Sequence, residues 1–146
     1  KIPKFSCSIL SSFIKNSFLL LYIMQYLSPV LLLFLANIFM TLAWYGHLKL
    51  NQMGVSTNWS MIAVILFSWG IAFVEYCFQV PANKMGFIGN GGPYTLLQLK
   101  VIQEVLSITV FCVIANILFQ GEKIAWNHIA AFVCLVLAVV FVFWKS

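Results

Sequence analysis

Two glutamates interrupt stretches of sequence that are otherwise apolar enough to cross a membrane. Glu75 lies in SMIAVILFSWGIAFVEYCFQV, and Glu104 lies in VIQEVLSITVFCVIANILF. An ionisable group in hydrocarbon costs about 2.5 kcal/mol or more, so such residues usually face a bundle interior, a partner charge or a water-filled path. The chain has three acidic residues in all. Because two of them occupy this costly position, the sequence predicts a polar site within the membrane.

The two glutamates differ in the charges closest to them along the chain. Lys100 lies four residues before Glu104, and on a helix this spacing allows a salt bridge. Glu75 has no basic residue within one helical turn. We therefore predict that Glu75 is the functional acid, which exchanges a proton or balances a cationic substrate. Glu104 is predicted to be chiefly structural, so Glu104→Gln should leave an unpaired lysine and lower the folded yield.

Other polar residues recur at helical spacing, which places them on shared faces with these acids. The stripes are Asn37, Thr41 and Trp44 in the first helix, Ser68, Ala72, Glu75 and Gln79 in the second, and Lys100, Gln103, Glu104 and Ser107 in the third. We predict that they converge on one polar cavity near the bilayer midplane. The predicted substrate or proton pathway consists of Glu75, Gln79, Asn37, Thr41, Lys100, Gln103 and Glu104. The alternative for Asn37, Thr41 and Gln79 is hydrogen bonding between helices, and we expect His47 and His128 to pack at the membrane interface.

The composition is that of a membrane protein. Hydrophobic residues make up 63% of the 146 residues and charged residues 8%, whereas soluble domains have about 45–50% and about 25%. The net charge of +5 comes from scattered lysines with no arginine, which disfavours nucleic-acid binding because such proteins cluster their basic residues. The four cysteines form no CxxC pair, and GxSxG is absent. We therefore expect no metal site, no cofactor and no enzymatic activity.

The chain has room for about four spans of about 20 residues each, and we predict an all-α integral membrane four-transmembrane-helix bundle. Ser28 and Pro29 are a favoured pair for the start of the first helix, and Pro81 is expected to end the second. The longest loop should then run from Pro81 to Tyr94. Small residues should allow the fourth helix to pack closely on a neighbour; they are Ala130, Ala131, Cys134 and Ala138. The predicted helices are Pro29–Leu48, Asn58–Val80, Thr95–Phe119 and Trp126–Trp144.

The first 28 residues carry three lysines and many serines before a short apolar run. We predict that residues 1–28 are an accessory N-terminal extension and that residues 29–146 are the four-helix transmembrane domain. Two alternatives stay open, a fifth span over Phe5–Gln25 and upstream sequence that precedes a natural start at Met24. The distribution of lysines favours a topology with both termini inside.

Three segments, NIFMTLAWYGHLK, SWGIAFVEYCFQVPANKMG and QLKVIQEVLSITVF, closely resemble an uncharacterised family of short bacterial membrane proteins assigned to the drug/metabolite transporter (DMT) superfamily. The resemblance extends over Leu31–Phe143. It implies four transmembrane helices and a homodimer whose protomers jointly enclose a substrate path. The small multidrug resistance exporters are less similar, because they carry an essential glutamate in the first helix, where this chain has Asn37 and Thr41 but no acid.

The function predicted on these grounds is transport of an unknown small molecule, with proton coupling as one form of the mechanism. The transporter is predicted to be a homodimer in the lipid bilayer of the bacterial inner membrane. The competing hypothesis is a non-transporting structural or assembly subunit, in which the polar stripes only fix the packing of helices. The two hypotheses differ in whether the stripes contact water.

Overall fold

The chain is a bundle of α-helices. The computed structural model describes residues 4–119 and 125–144, with side chains from residue 14 onward. A short 3-10 helix, Ile88–Asn90, lies between the second and third α-helices. The four α-helices are α1 Lys4–Gln52, α2 Met61–Gly86, α3 Leu96–Leu118 and α4 Trp126–Phe143. Each has a segment long and apolar enough to cross a membrane, and the described residues form no strand. The predicted all-α membrane fold is confirmed.

The predicted start of the first helix at Pro29 is wrong. α1 begins at Lys4 and runs for 49 residues, so Ser28 is not an N-cap and Pro29 lies inside the helix. Pro29 is fully buried, and a proline can be accommodated in a membrane helix where neighbouring elements pack around it. A helix of this length extends about 73 Å, well beyond the hydrocarbon thickness of about 30 Å. The division of the chain at residue 28 stays a prediction.

The predicted bounds of the second helix are also wrong. Its N-cap is Ser60, whose hydroxyl oxygen accepts a hydrogen bond from the Ala63 N–H at 3.3 Å. The helix then continues through Pro81 to Gly86. Pro81 is exposed. The long loop predicted from Pro81 onward is therefore shorter and begins after Gly86.

The third and fourth helices lie within one residue of their predicted bounds. Thr95 and Gln98 form a capping box at the start of α3. The Thr95 N–H donates to Gln98 Oε1 at 2.9 Å, and the Gln98 N–H donates to the Thr95 hydroxyl at 3.3 Å. At the start of α4 the Ala125 N–H donates to His128 Nδ1 at 2.9 Å. Local side-chain chemistry therefore sets both starts.

α1 is the central helix, because it packs against both α2 and α3, whereas α4 packs against α3. The core between the first three helices is formed by Leu33, Ala82, Tyr94 and Leu99, which are all buried. The small residues of α4 are exposed, so they do not make the predicted close helix contact within the chain; they are Ala130, Ala131, Cys134 and Ala138.

The connection between α2 and α3 is fastened to α1 by two hydrogen bonds. The Tyr94 hydroxyl donates to the Tyr26 carbonyl oxygen at 3.0 Å, and Gln25 Nε2 donates to the Gly91 carbonyl oxygen at 2.9 Å. The rings of Tyr26 and Tyr94 meet edge to face with centroids 5.7 Å apart. Burial raises the pKa of the Tyr94 hydroxyl, which keeps it a hydrogen-bond donor. These contacts hold α2 and α3 in register on α1.

We expect Gly92→Ala to destabilise the bundle more than Gly91→Ala. A Cβ atom at Gly92 would overlap the Met85 carbonyl oxygen and the Gly86 backbone, so the end of α2 would have to move, at a cost of about 3 kcal/mol. Gly91 has φ +83° and open space around it, so alanine there costs only the left-handed backbone conformation, about 1 kcal/mol. Unfolding of both variants in mixed micelles measures the difference. Equal decreases in the free energy of unfolding would contradict the close approach of the Met85 and Gly86 backbone to Gly92.

Candidate functional site

Glu75 lies near the middle of its helix. It is the fifteenth of the 26 residues of α2, Met61–Gly86. At 1.5 Å per residue it is about 21 Å from one end of the helix and about 17 Å from the other. Where α2 crosses the bilayer, this places the carboxyl group close to the midplane.

One face of α2 packs into the bundle, and Glu75 is on that face. The buried residues of the helix are Glu75, Gln79, Ala82 and Gly86, which follow the spacing of a single helical face. The short side chains of Ala82 and Gly86 let α2 approach its neighbours closely, since a Cβ atom at Gly86 would come within 3.1 Å of Pro29 in α1. The same close packing takes Glu75 and Gln79 out of contact with the surroundings.

Glu75 and Gln79 carry two buried oxygen atoms that lack hydrogen-bond donors. Glu75 is 1% exposed and Gln79 8%. Neither Glu75 Oε2 nor Gln79 Oε1 has a hydrogen-bond partner within the described ranges. Unpaired buried acceptors are expensive, at about 1–3 kcal/mol each. Two acceptors one turn apart can be satisfied by a proton on the carboxyl group or by a ligand that donates N–H groups.

Asn37 and Thr41 lie on α1 at the same level. Both are buried, and the rings of Phe39 and Phe78 stack between the two helices with centroids 5.5 Å apart. Phe39 lies between Asn37 and Thr41 in sequence, as Phe78 lies between the two acceptor residues of α2. The stack therefore places the polar turn of α1 at a similar height along the bundle to the polar turn of α2. Four of the seven predicted pathway residues are thus buried at a similar level of the bundle, and their assembly into one pathway stays a prediction.

Asn37 and Thr41 direct hydrogen bonds back to their own helix. Asn37 Nδ2 donates to the Leu33 carbonyl oxygen at 2.7 Å, and the Thr41 hydroxyl donates to the Asn37 carbonyl oxygen at 2.8 Å. These contacts satisfy donors without joining two helices, so the expected alternative of hydrogen bonding between helices does not describe them. The Thr41 hydroxyl hydrogen and one N–H of Asn37 are thus used within α1, and among the described residues the two acceptors of α2 have no partner.

The polar stripe of α3 does not join this buried group. Lys100 and Glu104 form the predicted ion pair, but their side chains are 62% and 49% exposed. Gln103 is half-buried. The buried positions of α3 are Gln98, Leu99 and Val110, and these direct Lys100 and Glu104 away from the packed side. The predicted convergence of all three stripes is therefore wrong for α3, and the role of these three residues in a pathway stays a prediction.

Two histidines have surroundings that the spacing pattern did not identify. His47 Nδ1 is buried without a hydrogen-bond partner in the described part of the chain. His128 caps α4 through its Nδ1 atom and lines a cavity between α1, α3 and α4. Nothing in the local sequence indicates either role, because each depends on how helix ends meet. Over residues 14–119 and 125–144, no three His, Cys, Asp or Glu side chains cluster as a metal site would require.

No curated protein and no solved structure matches the chain. Residues 29–143 match the family described as "Putative member of DMT superfamily (DUF486)". The matched segment includes every residue of the predicted pathway and all four spans from Pro29 onward, so the resemblance seen in the sequence is confirmed. The chain belongs to this DUF486 family of short membrane proteins.

Proposed function

We propose that this protein is a small-molecule transporter of the drug/metabolite type, in which Glu75 alternately carries a proton and a cationic group of the substrate. Members of the DMT superfamily are transporters, which supports transport over catalysis. The observation that carries the proposal is Glu75 itself. Glu75 is 1% exposed, lies near the middle of a membrane helix and has no donor for Oε2 among the residues that the structure describes. Such a carboxyl group is an expensive feature for a purely structural element.

The chemistry of the site favours a substrate that donates hydrogen bonds. Glu75 Oε2 and Gln79 Oε1 are both acceptors, and they lie one helical turn apart on the buried face of α2. An ammonium group satisfies both and balances the carboxylate charge. A proton on Glu75 neutralises the same charge when the substrate is absent. Proton and cation therefore compete for one carboxyl group, and this competition couples their movements in opposite directions.

Opening of the site requires α1 and α2 to separate at the level of Glu75, where Phe39 stacks on Phe78. Rocking of a helix pair about a central site is how many membrane transporters expose it alternately to the two sides. Asn37 and Thr41 fit such a role because their hydrogen bonds stay within α1. Separation of the two helices at this level then breaks the stacking of Phe39 on Phe78 but neither of these hydrogen bonds of Asn37 and Thr41.

The proposal includes assembly of two copies in the lipid bilayer of a bacterial inner membrane. Two exposed features support a second copy. The small-residue face of α4 around Cys134 is uncovered, and close packing through small side chains is a common helix contact in membranes. The Lys100–Glu104 pair is also exposed, and in a span its charges need a cover other than hydrocarbon.

A structural or assembly subunit is the second candidate. It is favoured by the hydrogen bonds of Asn37 and Thr41, because polar residues that are satisfied within their own helix need no water or substrate. On this hypothesis the interface between α1 and α2 stays closed, and Glu75 remains permanently protonated in it.

Accessibility of the interface separates the two candidates. In a protein whose native cysteines are replaced by serine, single cysteines are placed at Asn37, Ser68 and Gln79. Transport predicts that thiols at buried positions 37 and 79 react slowly with a membrane-impermeant reagent, because the open state is transient. The matched control is Val74→Cys on the outer face of α2, which lipid should keep unreactive. A uniformly unreactive set at all three test positions would support the structural subunit instead.

A further inference from the structure

A cavity of about 420 Å³ lies at the end of the bundle opposite the loop between α2 and α3. Its lining residues come from α1, from α3 with the residue that follows it, and from α4. This volume is within the range of about 300–1,000 Å³ that is typical of small-molecule sites. The cavity lies away from the buried turn of α2 that holds Glu75, so the transport site does not account for it.

Four aromatic rings line the cavity, namely those of Tyr45, Phe111, Phe119 and Phe132. The rings of Tyr45 and Phe111 are tilted against each other with centroids 4.9 Å apart, so they form one corner of the wall. Rings of this kind stack on flat apolar groups with an energy beyond that of simple burial. The wall therefore favours a ligand with an aromatic body.

The polar groups at the cavity include hydrogen-bond donors and a cation. His128 Nδ1 accepts from the Ala125 N–H at 2.9 Å, so the hydrogen of the neutral ring is on Nε2, which is left as a donor. Asn116 also lines the cavity and has an amide that can donate. Lys49 Nζ lies 6.0 Å from the centroid of the Phe119 ring, at the rim. Among the residues that the structure describes, no acid lines the cavity, and these groups favour an anionic head.

The cavity has a position that suits an amphipathic molecule. Leu48, Phe119 and His128 line it at the end of α1, the end of α3 and the start of α4. Helix ends of membrane proteins lie near the headgroups, where an apolar body and a charged head can both be accommodated. A second cavity of about 440 Å³ shares Cys112, Asn116 and Phe132 with the first. The two together extend along α3 and α4.

The geometry points to a binding site for a small aromatic carboxylate, with its ring between the aromatic side chains of α1, α3 and α4 and its carboxylate facing Lys49 and His128. The site lies apart from Glu75. It favours an anion, whereas the Glu75 site is proposed to bind a cation. Its occupancy does not depend on the proposed transport of a cation.

Modification of Cys112 reports occupancy, because this half-buried thiol lines both cavities. In full-length protein with Cys112 as the only cysteine, naphthalene carboxylate should slow labelling by N-ethylmaleimide in a saturable way. Naphthylmethylammonium, with a similar body and the opposite charge, should need about tenfold higher concentration, which is the contribution of one hydrogen bond to a charged group. Decanoate, which represents a lipid-derived carboxylate, should also protect less well.

Two substitutions and one control complete the test. Lys49→Gln should raise the protecting concentration of naphthalene carboxylate about tenfold, and Ala115→Trp, which fills the cavity, should abolish protection while helix content by circular dichroism is unchanged. A protein with Cys134 as its only cysteine, on the exposed face of α4, should show no saturable protection. Equal protection by the ammonium compound or by decanoate would overturn the assigned ligand class. Protection that persists in Ala115→Trp, or that appears equally at Cys134, would overturn the site.

Discussion

Glu75→Gln is expected to insert and assemble normally but to lose proton-linked transport. Glutamine keeps the shape of the side chain and can donate an N–H to a neighbouring acceptor, so packing at the buried turn of α2 is preserved. It cannot bind or release a proton in the physiological range, and it cannot balance a cation. In proteoliposomes with an imposed pH gradient, uptake of lipophilic amines that wild type accumulates should fall to the level of protein-free vesicles.

The matched control for this prediction is Glu104→Gln. Glu104 is paired with Lys100 and half-exposed, so its loss should lower the folded yield while transport per inserted molecule keeps its pH dependence. The comparison separates a functional acid from a structural one. A Glu75→Gln protein that moves the same amines with an unchanged pH profile would refute the role assigned to Glu75.

Glu75→Leu is expected to stabilise the folded bundle. The carboxyl group is buried, and its Oε2 atom has no donor in the parts of the chain that the structure describes. Replacement of an unsatisfied buried polar group by an apolar one of similar volume removes its desolvation cost. We expect the free energy of unfolding in mixed micelles to rise by about 1–2 kcal/mol. A gain in stability on loss of the carboxyl group would show that Glu75 does not serve the packing of the bundle.

Thr41→Val provides the comparison for this measurement. The Thr41 hydroxyl is buried at the same level but donates to the Asn37 carbonyl oxygen at 2.8 Å, so its loss should lower the free energy of unfolding by about 0.6 kcal/mol. The two variants should therefore shift stability in opposite directions. If Glu75→Leu lowers the free energy of unfolding by more than Thr41→Val does, Glu75 contributes to packing. That result would support the structural subunit over the transporter.

The sequence was sufficient for the number and order of the spans, because four long apolar runs separated by polar segments have few other solutions in a membrane. It was misleading at Pro29 and Pro81. The rule that proline starts or stops a helix reflects clashes and a lost hydrogen bond, but in α1 the ring is packed in the bundle and in α2 it is on the open face. Neither environment can be deduced from the local sequence.

The candidate site could be predicted in part for a similar reason. Glu75 and Gln79 were found because an uncompensated acid and a residue one turn away are visible in the spacing. The orientation of Lys100 and Glu104 could not be predicted. Spacing shows that two residues share a face of a helix but not which face packs against the other helices. That choice depends on Leu99 and Val110, which turn the other side of α3 inward. The aromatic cavity escaped prediction because three separate helix ends form it.

The central claim, that Glu75 gains and loses a proton within the membrane, can be tested without knowledge of the substrate. Infrared difference spectroscopy of proteoliposomes detects the carbonyl band of a protonated carboxyl group as the pH is changed. We predict such a band in wild type and in Glu104→Gln, its disappearance as the pH rises, and its absence in Glu75→Gln. A band that does not respond to pH, or one that persists unchanged in Glu75→Gln, would contradict the account.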